Sequence, residues 1–230
     1  MLPNRAILLT VALSLCPAAA WAQESYSVLP LKEAPPAALA SPIKAVLNAQ
    51  GYRVVDDQGK TVADFWLRKA VPASGKPAGP KETILYPVLA EGELLGALRY
   101  PADGHDYRDQ TINAGVYTLR YGLQPVNGDH LGVSPYRDFA CLLLASKDTA
   151  LADLSQKKLE NQSAEAAGSS HPAVLMLLAP PPGSKGELTI VHDDVKNTWG
   201  AVVPLTLAVK GQTEPATLPV QLVLVGAAMP

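Results

Sequence analysis

The side chains best suited to chemistry in this chain fall in two polar stretches. The first is Asp103-Gly104-His105-Asp106-Tyr107-Arg108-Asp109. The second runs through Gly128-Asp129-His130 to Ser134-Pro135-Tyr136-Arg137-Asp138. Carboxylate oxygens at this density suit a hard cation such as Ca²⁺, and His105 with Asp106 suits a transition metal. The spacing fills no EF-hand loop in order. If the two stretches meet, His105, Asp106, His130 and Asp138 bring two imidazoles and two carboxylates together. That set makes either a divalent metal site or an acid–base pair. Arg120 and Arg137 offer the opposite outcome, a buried ion pair with Asp138 that only fixes a loop. The candidate ligand-binding residues are therefore His105, Asp106, Asp109, Arg120, His130, Tyr136, Arg137 and Asp138.

Other reactive groups carry less. His192 follows a β-rich run and shares strand parity with Leu188 and Ile190, which places it at the rim of an apolar face. Cys141 lies in Phe139-Ala140-Cys141-Leu142-Leu143-Leu144, a run that reads as a buried strand, where a thiol behaves as a small hydrophobe. The chain has no Gly-x-Ser-x-Gly elbow, no His-Glu-x-x-His, no phosphate-cradling glycine loop and no cysteine pair spaced for zinc. Trp66 and Trp199 read as packing residues. No catalytic residue is assigned.

A scaffold must hold these loops, and the composition permits one. Hydrophobic residues make up 48% of the 230 residues and charged ones 17%, enough to fill a core and against wholesale disorder. The net charge of −2 provides no basic field to draw the chain to nucleic acid. Twenty-one prolines and 17 glycines suit strands and turns better than a helical bundle.

The N-terminal residues read as an export signal. Met1 to Arg5 carries one positive charge, Ala6 to Leu15 is an apolar run of signal-core length, and Ala20-Trp21-Ala22 supplies small residues for cleavage before Gln23. Residues 1–22 are expected to be removed, which leaves 23–230 as one β-rich domain. Leu15, before Cys16, is a poor lipobox residue, so free export is expected over lipidation. No later stretch is long and apolar enough for a transmembrane helix.

Along the exported part, strands are expected at 27–29, 52–55, 61–68, 83–90, 94–100, 116–124, 139–144, 173–178, 187–193, 198–209 and 218–225. A short helix is expected after Ser41-Pro42 with Gly51 as its stop. A second is expected from Asp148 or Thr149 to Gly168. Residues 70–81, with three prolines and two glycines, read as a loop. Tyr117, Leu119, Tyr121 and Leu123 share one strand face, with Thr118, Arg120 and Gln124 on the other. The pattern predicts a mainly β fold, an antiparallel β-sandwich or barrel-like sheet with one or two short helices.

Two segments, Ala114-Gly115-Val116-Tyr117-Thr118-Leu119-Arg120-Tyr121-Gly122-Leu123-Gln124-Pro125 and Gly128 to Phe139, resemble an uncharacterised family of exported bacterial proteins. The resemblance covers the middle third and implies export and a β-rich body. It supplies no catalytic residue.

The expectation is thus a periplasmic or secreted bacterial protein, non-catalytic. It would bind a protein partner or small ligand through loops 101–113 and 125–138, without a cofactor. The alternatives are a metal-dependent, hydrolase-like enzyme built on His105, Asp106, His130 and Asp138, and an envelope structural component.

Overall fold

The computed structural model describes residues 25–126 and 134–227. The export segment and His130 lie outside the described residues. Thirteen strands and two helices follow one another along the rest. The strands are β1 (Tyr26–Leu31), β2 (Gly51–Asp56), β3 (Thr61–Leu67), β4 (Val71–Ala73), β5 (Leu94–Tyr100), β6 (Gly104–His105), β7 (Thr111–Ile112), β8 (Gly115–Leu123), β9 (Asp138–Leu144), β10 (Val174–Leu178), β11 (Thr189–Asp193), β12 (Thr198–Val209) and β13 (Ala216–Val225). The helices are α1 (Ser41–Val46) and α2 (Gln156–Ala167).

One large sheet carries the fold, in the order β1-β2-β3-β5-β8-β9-β10-β13-β12-β11. Its pairs along this path are antiparallel. It curls, so that inward side chains of distant strands meet in one core: Phe65, Leu98, Leu119, Leu142, Leu175, Val203 and Val220 belong to the same buried cluster. The barrel-like form of the expected β architecture is therefore the observed one. β4 tightens the curl. It follows β3 after three residues and pairs in parallel with the far strand β12, Val71 against Leu207 and Ala73 against Val209. A separate two-stranded ribbon, β6-β7, lies within residues 101–113.

The outer face is covered in three places, which explains why several strands are apolar on both sides. α1 brings Ile43 onto Trp66, Leu94 and Ala97. α2 brings Leu159 onto Cys141 and Leu143 of β9. Tyr107 packs with Phe139, Met176 and Val223.

Four elements differ from expectation, each for a local reason. Residues 83–90 form turns, not a strand. Pro87 removes a ladder donor, and the amides of Leu85 and Tyr86 are taken by the Asp138 carboxylate at 2.7 and 2.9 Å. The apolar residues Leu85, Tyr86, Val88 and Leu89 instead join the main core. Residues 71–73, expected as loop, form β4. α2 begins at Gln156, not near Asp148, because the carbonyls of Ala150 and Ala152 accept hydrogen bonds from the Arg120 guanidinium and are unavailable to a helix. Its end is as expected: Gly168 adopts φ 59° and its amide donates to Ala164 O and Glu165 O. Residues 101–113 hold the β6-β7 ribbon within the expected polar loop.

Candidate functional site

The two polar loops leave opposite ends of β8. β5 enters loop 101–113 and β8 leaves it; the same strand then runs nine residues before loop 125–138 begins. At ~3.3 Å per residue that is a separation of about 25–30 Å. Successive connections of an antiparallel meander alternate ends, so a shared loop end was excluded by topology. The expected convergence of His105 and Asp106 with Asp138 does not form.

The described candidate residues separate into two groups. Asp106, Arg120 and Asp138 are buried and engaged. The Asp106 carboxylate accepts from the amides of Arg108 (2.8 Å), Gln110 (2.9 Å) and Val174 (3.1 Å) and from Gln110 Nε2 (2.8 Å). It pins the loop to β10. Arg120 forms a two-pronged pair with Asp148, Nε to Oδ2 at 2.7 Å and its terminal nitrogen to Oδ1 at 2.9 Å, and donates to Gly92 O at 2.7 Å. Thr118 Oγ1 donates to the same Asp148 Oδ2 at 2.6 Å. Arg120 pairs with Asp148, not with Asp138. Asp138 accepts from the Tyr121 hydroxyl at 2.5 Å besides its two amides. Burial, then the charge of Asp138, pushes the Tyr121 phenol well above the usual tyrosine range.

The second group is more open. His105 Nδ1 lies 3.2 Å from Asp109 Oδ1, with both side chains exposed. Tyr136 is half-buried against the main core. Arg137 donates through Nε to Gln124 O at 2.5 Å and through its amide to Thr83 O at 2.9 Å, which ties the two ends of the second loop together. Among the described residues, no three histidine, cysteine or acidic side chains are placed to hold a metal ion.

A cleft lies where loop 101–113 folds back over the outer face of the sheet. The Tyr107 amide donates to Val174 O at 2.8 Å, and its ring sits 6.1 Å from that of Phe139. This return brings Tyr107 and Arg108 to the same cavity as Gln124 and Pro125, although the loops start at opposite ends. The cavity has a volume of about 300 Å³. Its floor is Phe139, Cys141 and Leu159, and Glu91, Glu160, Asn161 and His171 stand around it. Glu91 is fixed by accepting from the Leu123 amide at 3.2 Å. Burial pushes the Cys141 thiol up to about 12, so at neutral pH it stays a protonated apolar floor residue.

None of the seven described candidate residues lines this cleft. Tyr107 and Arg108, which do line it, stand between the ligating side chains of loop 101–113 and are not themselves metal-ligand types. The available signal was Tyr107, a large aromatic in an otherwise polar loop, which requires an apolar surface to cover.

His192 and the tryptophans have packing partners. The His192 ring stacks on Trp199 at 3.8 Å, and Tyr26 meets Trp199 edge-on at 5.3 Å. Trp66 is fully buried and donates to Glu33 O at 2.9 Å. No family model, curated protein or solved structure matches the chain. The class that fold and site define is a curled antiparallel sheet bearing a covered outer-face cleft.

Proposed function

We propose that this is an exported bacterial protein, periplasmic or secreted, that binds a small amphipathic ligand without transforming it. Its site is the cleft between α2 and the outer face of β8, β9 and β10. Export rests on the N-terminal sequence pattern. Binding rests on one observation: a cavity of about 300 Å³ with an apolar floor and a sparse polar rim, bordered by residues of both polar loops. An apolar concavity with a few oriented polar groups is the usual form of a small-molecule site.

The chain supplies the parts such a site needs. Phe139 and Leu159 offer apolar contact, Arg108 a cation with planar donors, and Glu91, Glu160 and Asn161 acceptors around the opening. The cleft is bounded by three strands and a helix, which preorganises it. The binding reading extends the expected loop site to Tyr107, Arg108 and α2, and drops the buried Asp106, Arg120 and Asp138 from direct contact.

The experiment is a ligand-observed NMR screen of small aromatic fragments against the whole chain and against Ala164→Trp. Ala164 lines the cleft from α2 and is half-buried, so the indole fills the cavity from outside the core. Fragments that bind the parent and not the variant support the proposal. Equal binding to both sinks it.

A further inference from the structure

The cleft under α2 carries two opposite charges that the fold leaves unmatched. Glu91 is half-buried on the β8 side, where its Oε1 accepts from the Leu123 amide at 3.2 Å. The neighbouring Gly92 amide donates to Tyr121 O at 2.8 Å and fixes this segment on the same strand. The other Glu91 oxygen makes no hydrogen bond, and no cation pairs with the carboxylate, among the described residues. Burial is the first cause of the raised Cys141 thiol, and the charge of Glu91 is the next, ahead of that of Glu160. The Glu91 carboxylate therefore bears on the cleft floor, of which Cys141 is part.

Arg108 stands on the opposite wall. Its amide donates to Asp106 Oδ1 at 2.8 Å, and the preceding Tyr107 amide donates to Val174 O at 2.8 Å, so its backbone is fixed on β10. Its exposed guanidinium has neither a hydrogen bond nor an ion pair among the described residues. Leu123 is in register with Asp138 of β9, and Val174 with Cys141 of the same strand. The two anchors are thus two strand spacings apart across the sheet, about 10 Å, and the length from residue 138 to 141 apart along it, about 10 Å more. A direct ion pair needs about 4 Å, and none forms between Glu91 and Arg108.

Between the two charges lie the apolar side chains of Phe139 and Leu159. Glu160, whose Oε1 accepts from Gln156 Nε2 at 3.1 Å, and the exposed His171 are the other titratable groups at the rim. A cation and an anion held apart over an apolar floor are complementary to a ligand that carries both charges and an apolar body.

We propose that the cleft takes a zwitterion, an α-amino acid with an aromatic side chain, with its ammonium on Glu91, its carboxylate on Arg108 and its ring on Phe139. This inference rests on the reading of the cleft as a binding site and names the class of its ligand. An ammonium donates to the spare Glu91 oxygen, and a guanidinium receives a carboxylate through two parallel N–H groups. A ring laid on Phe139 gains an offset or edge-on aromatic contact. The cavity of about 300 Å³ equals the volume of about ten waters, at about 30 Å³ each, which suits one amino acid and not a longer peptide.

The test is a titration of the full chain with L-phenylalanine and two analogues, followed by backbone amide NMR. The analogues are phenethylamine, which lacks the carboxylate, and hydrocinnamate, which lacks the ammonium. Saturable binding of phenylalanine is expected, with shifts at Arg108, Leu123 and Asn161, and at least tenfold weaker binding of each analogue. Glu91→Gln keeps an acceptor for the Leu123 amide; it is expected to weaken phenylalanine at least fivefold and leave hydrocinnamate unaltered. Arg108→Met, on an exposed side chain, is expected to weaken phenylalanine at least fivefold and leave phenethylamine unaltered. This crossed pattern separates contact with each charge from a general disturbance of the cleft. An analogue that binds as tightly as phenylalanine overturns the proposal. So does phenylalanine that fails to saturate, or a variant that weakens all three ligands alike. In those cases aromatic fragments that bind the parent and not Ala164→Trp leave the cleft standing as a site, and only the zwitterion falls; if no fragment binds, both readings fall.

Discussion

Replacing Asp138 by alanine separates a framework role from a ligand role. The carboxylate is fully buried and accepts three hydrogen bonds: Leu85 N at 2.7 Å, Tyr86 N at 2.9 Å and Tyr121 Oη at 2.5 Å. Two of these hold the turn segment whose Leu85, Tyr86, Val88 and Leu89 pack into the main core. Hydrogen bonds to a charged group contribute about 1.5–3 kcal/mol each, so three set a ceiling of about 4.5–9 kcal/mol. Water entering the vacated space satisfies part of the loss, and the expected destabilisation is about 3–5 kcal/mol. For a chain of this size each kcal/mol corresponds to about 2–4 °C, so the melting temperature should fall by about 6–20 °C. The assay is urea unfolding followed by circular dichroism, with a calorimetric melt beside it. Asp138→Asn, which keeps one acceptor oxygen, should fall between the two. A loss below about 1 kcal/mol for the alanine variant would refute the clamp and return Asp138 to the list of exposed, ligand-facing groups.

Two further outcomes follow from the same buried chemistry. Asp148→Ala strands the Arg120 guanidinium, which is fully buried and keeps only carbonyl acceptors; a loss of about 3–5 kcal/mol is expected in the same unfolding assay. A double-mutant cycle with Arg120→Met should show strong coupling, and additive losses would contradict the pair. At alkaline pH, Cys141 keeps its proton to about 12 in the folded chain, against an ordinary 9.0 when unfolded. Its contribution to stability is therefore complete below pH 9 and is lost as pH climbs toward 12. Tyr86, Tyr100 and Tyr121, all shifted upward by burial, act with the same sign. Cys141→Ala should flatten the decline of melting temperature between pH 9 and 11, and an unchanged slope would contradict the shift.

Much of the sheet was legible because its strands carry strong period-two or continuous apolar runs. β8 declared both its faces: Tyr117, Leu119 and Tyr121 enter the curled core, and Thr118 and Arg120 face the outer layer. What the alternation did not reveal is that the outer layer is also dry there, since the segment holding Asp148 lies over it. Residues 83–90 misled because Leu85, Val88 and Leu89 have strand-like composition. A carboxylate more than fifty positions away, Asp138, supplies the acceptors that a neighbouring strand would have given. Such a long-range side-chain clamp has no local signature.

The candidate site was legible in its loops and not in its residues. Loop 101–113 does border the cleft. Yet Asp106, the most ligand-like residue in it, is spent on four framework bonds, while Tyr107 and Arg108 beside it reach the cleft. A carboxylate that will pin a loop and one that will meet a ligand look alike in sequence, because the difference lies in which amides fold around it. The reversed direction of successive connections in a meander starts the two loops at opposite ends of β8, and the long-range bonds that fold loop 101–113 back over β10 have no signature in the strand order.

The central claim, that the cleft between α2 and the sheet is a binding site shared by both polar loops, is tested most directly by amide NMR of the full chain during a fragment titration. The account predicts that at least one small aromatic fragment moves the amides of Arg108, Gln124 and Asn161 together, saturably, and that Ala164→Trp abolishes the effect. Fragment shifts that survive this substitution, or a library that leaves these three amides still, would contradict it.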